Sequence, residues 1–163
     1  MPENVYPAIK DPAPAAVVVY CSDPRFQTAF DGFIEKDLGL AKGQFIPLVV
    51  AGGANAFTNP MRLPKEFKFM KDRLELYQER FSSIKRVVLI GHEDCKYYDS
   101  VKNRILGFVG VELKTMAEHH KAGLAMLPKM LAGVLIPGKS IEIYYAKFKD
   151  PDHNEIVFEP IQL

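Results

Sequence analysis

Cysteine is scarce in this chain: Cys21 and Cys95 are the only two among 163 residues. Two are too few for a disulfide framework, and as free thiols or thiolates they point to a reducing cytoplasm. Charge of one sign is lacking as well. With 21 basic against 20 acidic side chains, there is no large single-sign field to hold nucleic acid or an anionic membrane. Apolar runs are short. Nowhere do about eighteen or more apolar residues follow one another, the length a membrane-spanning helix needs, and residues 1–14 mix charges with four prolines where a signal peptide would carry its apolar core. The expectation is a soluble, unexported, cytoplasmic protein with no nucleic-acid and no membrane partner. There is no internal repeat and no low-complexity tract.

What is present suits one domain over residues 1–163, since 48% of the side chains are hydrophobic and the length allows a core without staples. Ala15 to Tyr20 is a continuous apolar, β-branched run, the pattern of a strand buried on both faces, and it ends at Cys21. After Pro24, the residues Phe26, Phe30, Phe33, Ile34 and Leu38 recur at helical spacing, with Gly39 and Gly43 marking the exit. A second apolar run, Phe45 to Val50, carries Pro47, which assigns it to a sheet edge or to an irregular strand. The small-residue turn Ala51-Gly52-Gly53-Ala54-Asn55 follows it. From Lys65, the stripe Phe67, Met70, Leu74, Tyr77 and Phe81 predicts a long amphipathic helix. Arg86 to Gly91 is another buried-strand signal, and it stops at His92. A helix is expected from near Asp94 toward Leu106, and a further helical stretch from Glu112 to Leu135, interrupted by Gly123 and Pro128. Alternation in 141–145 and 155–158, around the turn residues 150–154, predicts a hairpin. The fold class is therefore α/β: a single domain with a mainly parallel central β-sheet flanked by helices, and a C-terminal strand or hairpin.

Cys21 and His92 both end predicted parallel strands, where open α/β sheets place their ligand crevices. Cys95 follows His92 by three residues, and a helix starting there would favour its thiolate. Two thiolates and one imidazole suit zinc, and three protein ligands leave the fourth tetrahedral position open, as in catalytic rather than structural sites. Asp23 and Arg25 lie two and four residues after Cys21. An arginine paired with Asp23 would keep its carboxylate ionised and oriented, either to accept a hydrogen bond from zinc-bound hydroxide or to swing in as the fourth ligand.

Cys21-Ser22-Asp23-Pro24-Arg25 resembles the Cys-x-Asp-x-Arg motif of the β-class carbonic anhydrases, and Gly91-His92-Glu93-Asp94-Cys95 resembles their Gly-His-x-x-Cys motif. The likeness covers residues 15–101, and the C-terminal third only in its helix-then-strand pattern. It implies a zinc-dependent lyase hydrating carbon dioxide to bicarbonate, assembled as a homodimer or higher homo-oligomer. Cys21, His92 and Cys95 would be the metal ligands, and Asp23 with Arg25 the catalytic pair. The substrate-pocket wall is then expected among Ala51, Gly52, Phe57, Lys96 and Tyr97. Two departures stand out: Lys96-Tyr97-Tyr98 replaces the glycine that usually follows the second cysteine, and Ala51 to Asn55 replaces an Arg-Asn-Ala-Gly-Asn turn.

Plainer readings stand beside these. The cysteines would be inert core residues, Asp23 a helix cap with Arg25 a surface cation, and His92 a hydrogen-bonded core histidine. His119 and His120 read as a solvated helical face, and Lys96 either steers bicarbonate or reaches solvent. Two other functions use the same residues. One is a related zinc hydrolase acting on another small electrophile such as carbonyl sulfide or carbon disulfide, and the other a non-catalytic zinc protein with Asp23 closing the site.

Overall fold

The computed structural model describes residues 4–100 and 116–162. Its centre is β1 (Ala16–Cys21), whose six residues are all buried. Buried Val17 and Val19 point to one face of the sheet and Ala16, Val18 and Tyr20 to the other, so the uninterrupted apolar run is explained by two packed faces. A valine or leucine so buried contributes about 1.5–3 kcal/mol relative to exposure. β2 (Phe45–Val50) and β3 (Arg86–His92) flank β1 in parallel, and β4 (Ser140–Phe148) lies parallel to β3. β5 (Ile156–Pro160) then pairs antiparallel with β4, giving the sheet order β2-β1-β3-β4-β5 and the hairpin expected at the end of the chain. β2 is an edge strand with Pro47 exposed, which is where a residue without an amide proton is tolerated.

Helices cover both faces. α1 (Gln27–Lys36) follows a 3₁₀ turn at Pro24–Phe26 and buries Phe30, Phe33 and Ile34 on the face of Val18 and Val88. α2 (Pro64–Arg80) buries Met70 and Leu74 on the opposite face, with Phe67, Tyr77 and Phe81 partly buried against the same core. Helical backbone over residues 96–100 (α3) begins two residues later than expected from Asp94. Its expected run toward Leu106, like residues 112–115 of the next stretch, lies outside the described residues. The remainder of that stretch is α4 (Met116–Ala125) and α5 (Leu127–Leu131). The break expected at Gly123 falls at Met126 instead. Gly123 lies inside α4 and packs against Thr58, where an added β-carbon would stand only 3.0 Å from Thr58 Cβ. Pro128 sits in the first turn of α5, where its missing N–H costs nothing. Among the described residues, no helix is long and apolar enough to cross a membrane.

Candidate metal centre

The sheet order fixes where the site forms. From β1 the chain crosses to β2 on one side and then returns to β3 on the other, so the connections leave β1 and β3 in opposite directions and open a crevice beyond their carboxyl ends. Cys21 is the last residue of β1 and His92 the last of β3. Cys95 lies immediately before α3. One ligand atom from each of these three buried residues lies within 4.8 Å of the others.

The fit to a metal ion rests on two observations. The Cys21 and Cys95 sulfurs are 4.0 Å apart, close to the separation of about 3.8 Å that a tetrahedral ion imposes with metal–sulfur bonds of about 2.3 Å. His92 supplies the second. Its Nδ1 lies 2.8 Å from the carbonyl oxygen of Glu93, which can only accept, so Nδ1 carries the proton and Nε2 the lone pair. That Nε2 is buried and has no hydrogen-bond partner. A backbone carbonyl holding one imidazole nitrogen while the other is left bare is the arrangement typical of a metal-ligating histidine. Phe26 packs against the ring at 4.3 Å and fixes its tilt.

The two thiols respond to each other. Cys21 is pulled well below the ordinary thiol range, chiefly by the hydrogen bond from Cys95 and also by the amide of Asp23. Cys95 is pushed up by the Cys21 thiolate and by burial, although the amides of Tyr97 and Tyr98 in the first turn of α3 favour its charged form. Two thiolates this close disfavour each other, and a divalent cation between them would let both be charged. The amide of Gly52 adds a further donor to Cys21 Sγ at 3.3 Å.

Asp23 and Arg25 meet as the sequence suggests, and a third group joins them. Arg25 donates from Nε to Asp23 Oδ1 at 3.1 Å and from Nη2 to Asp23 Oδ2 at 2.7 Å, and this holds the Asp23 carboxyl below its usual range. Asp23 also accepts from the Arg25 amide at 3.0 Å, so the cap and the ion pair are one structure. With both oxygens turned to Arg25, Asp23 is not part of the three-residue cluster. Asp94 grips the other side of the guanidinium, and sequence reasoning missed it in that role. Its nearest signal was its place inside the Gly-His-x-x-Cys segment, between His92 and Cys95.

A cavity of 330 Å³ opens beside the cluster, lined by Cys21, Asp23, Arg25, Cys95 and, among the expected wall residues, Ala51, Lys96 and Tyr97. Gly52 is buried beneath the Tyr97 ring, outside this lining. Phe57 is also outside it: wholly buried, it packs edge-on to Phe67 in the core because the 3₁₀ turn Gly53–Phe57 points it inward. Lys96 pairs with Asp94 Oδ1 at 2.9 Å. Tyr98 turns away from the cavity and places its hydroxyl 2.8 Å from His119 Nδ1. The solvated face expected for His119 and His120 is corrected at His120, which is 4% exposed against the Tyr98 ring. Burial lowers its pKa to about 4.

No family model matches the sequence, and no curated protein matches it. Solved structures do. A β-carbonic anhydrase of the fungal pathogen Aspergillus fumigatus aligns at TM-score 0.55 and 15% identity over 92% of this chain and 76% of that one. A β-carbonic anhydrase of Sordaria macrospora, described as tetrameric, aligns at 0.52 and 15% over 93% and 82%. A carbonic anhydrase from Glaciozyma antarctica aligns at 0.51 and 20% over 93% and 83%. At these identities the likeness is one of fold: the chain has a divergent β-carbonic anhydrase-like fold with a Cys-His-Cys cluster at the carboxyl ends of its central strands.

Proposed function

We propose that residues 1–163 form a single zinc-dependent domain that hydrates carbon dioxide to bicarbonate and a proton, with Cys21, His92 and Cys95 as the metal ligands. The observation that carries this reading is the bare, buried Nε2 of His92 beside two sulfurs, with both Asp23 oxygens held by Arg25. Two sulfurs and one imidazole nitrogen favour zinc over harder divalent ions. Zinc bound there supplies a Lewis acid and lowers the pKa of water toward about 7, making a nucleophile available at neutral pH.

The chain's own groups do the rest. Asp23, kept ionised by Arg25, accepts a hydrogen bond from the attacking water and orients its lone pair. Ala51 and Tyr97 wall the cavity and limit bulk water around a small uncharged substrate. Lys96 at the rim attracts the bicarbonate anion, while the released proton passes to buffer. Two free, buried cysteines suit a reducing compartment, and the proposed setting is the cytoplasm. We also propose a homo-oligomer, supported by the tetrameric description of the Sordaria macrospora neighbour.

One observation favours a second reading, a hydrolase for a sulfur analogue of carbon dioxide: Lys96 and Tyr97, which follow Cys95, line the cavity beside the cluster. Metal analysis with stopped-flow hydration separates the readings. Stoichiometric zinc with carbon dioxide turnover supports the first, zinc with turnover of carbonyl sulfide alone the second, and zinc with neither the non-catalytic reading. Asp23→Ala should lower kcat by about 100-fold in an enzyme. In a protein whose site Asp23 closes, it should chiefly weaken metal affinity.

A further inference from the structure

The turn after β1 brings Cys21, Asp23 and Arg25, and the turn after β3 brings His92, Asp94 and Cys95. Any ion held by the three ligands depends on how these two turns sit against each other. Arg25 spans them. Asp94 Oδ2 accepts from Arg25 Nη1 at 2.6 Å, and the Asp94 carbonyl accepts from Nη2 at 2.7 Å. Together with the two bonds to Asp23, four of the five guanidinium N–H donors are engaged. A planar group bonded along two edges cannot rotate without breaking both sets. The Arg25 guanidinium also lies 5.9 Å from the Phe26 ring centroid and 5.8 Å from that of Phe148.

Asp94 reaches this position at a cost. Its φ of 49° lies in the left-handed region, uncommon for residues with a side chain although aspartate and asparagine enter it more readily than others. That backbone turn is what presents both the carboxylate and the carbonyl of one residue to Arg25. Lys96 holds the remaining Oδ1 at 2.9 Å. The side chains of Arg25 and Asp94 are 35% and 36% exposed, and an ion pair at that exposure contributes little to global stability.

We infer that Asp94 is a positioning residue: by clamping Arg25 across the crevice, it fixes the Asp23 carboxylate on Arg25 and away from the open position beside Cys21, His92 and Cys95. Released from Asp94, the Asp23–Arg25 pair would swing as a unit and Asp23 could close the metal site. Asp94 thereby sets whether the same three ligands form an open or a closed centre. This rests on the metal-site reading above.

Asp94→Asn and Asp94→Gly test it, since asparagine and glycine both accept the left-handed backbone and keep the carbonyl bond to Arg25. Each is compared with wild type and with the Asp23→Ala single and double variants. The readouts are Co²⁺ loading followed by its visible d–d spectrum, chelator competition for the metal, thermal unfolding, and kcat and KM for carbon dioxide. The expected result is a changed Co²⁺ spectrum in both Asp94 variants, metal affinity equal to or tighter than wild type, and an unfolding midpoint little changed. With Asp23→Ala added, the spectral change should vanish. If the protein hydrates carbon dioxide, kcat should fall about tenfold or more with KM within about twofold. A wild-type spectrum and wild-type kcat in both variants would overturn the inference, as would loss of the fold in both, which would assign Asp94 to the architecture alone. A changed spectrum in a protein that hydrates no carbon dioxide would leave the positioning role standing and remove the proposed reaction.

Discussion

The ring of Tyr97 rests on Gly52 so closely that a β-carbon added there would stand 2.5 Å from ring Cδ1. Gly52 has φ 84°, a left-handed backbone that costs a residue with a side chain about 1–3 kcal/mol. The same glycine directs its amide at Cys21 Sγ. Gly52→Ala therefore combines two penalties that a second substitution separates. It should lower the unfolding free energy by about 1–3 kcal/mol in urea titrations and displace Tyr97 from the cavity. Adding Tyr97→Ala should remove the collision but leave the backbone cost, so the double variant remains less stable than Tyr97→Ala alone. A Gly52→Ala protein as stable as wild type would show that this turn is not held in the left-handed region.

Arg86 and Glu142 tie β3 to β4 through two hydrogen bonds, Nε to Oε1 at 2.7 Å and Nη2 to Oε2 at 3.0 Å. Arg86 holds the Glu142 carboxyl below its ordinary value of 4.5. A carboxyl whose pKa is depressed on folding adds stability that is fully present above its unfolded value and lost as the pH falls through the folded value. Glu142→Gln should accordingly lower stability by about 1 kcal/mol at pH 7. The difference from wild type should shrink as the pH drops below about 4.5. Urea denaturation of both proteins across pH 3–7 measures it, and a difference independent of pH would assign the effect to packing.

The strands and the cluster of Cys21, His92 and Cys95 were legible because both are written in short, local signals. β1 and β3 are apolar runs that stop at Cys21 and His92, and an edge strand is announced by Pro47. The hairpin of β4 and β5 shows in alternation around turn residues. What was hidden depends on contacts between distant segments. Gly123 reads as a helix break, yet it lies within α4, where Thr58 occupies the space a side chain would take. His120 sits beside His119 in a polar pair, but α4 turns it onto the Tyr98 ring. Phe57 follows a small-residue turn next to the site and still packs away from it, onto Phe67. Asp94 needs a left-handed backbone and a partner 69 positions earlier in the chain, neither of which periodicity can report.

Gly91, the residue before His92, links the core to the site through what it lacks. It stands opposite Tyr145 in the register of β3 and β4. An added β-carbon there would lie 2.6 Å from Leu124 Cδ1 and 3.2 Å from Asn55 Oδ1. Leu124 is wholly buried and holds α4 to the sheet. Gly91→Ala should cost about 1–3 kcal/mol through overpacking, and Leu124→Ala about 2–5 kcal/mol through the cavity it leaves. The two changes compensate in volume at one place, so the double variant should be more stable than the sum of the single costs allows, by about 0.5–3 kcal/mol. Denaturant titrations of the four proteins give this coupling energy. Simple additivity would mean that α4 does not rest on the strand that ends in His92.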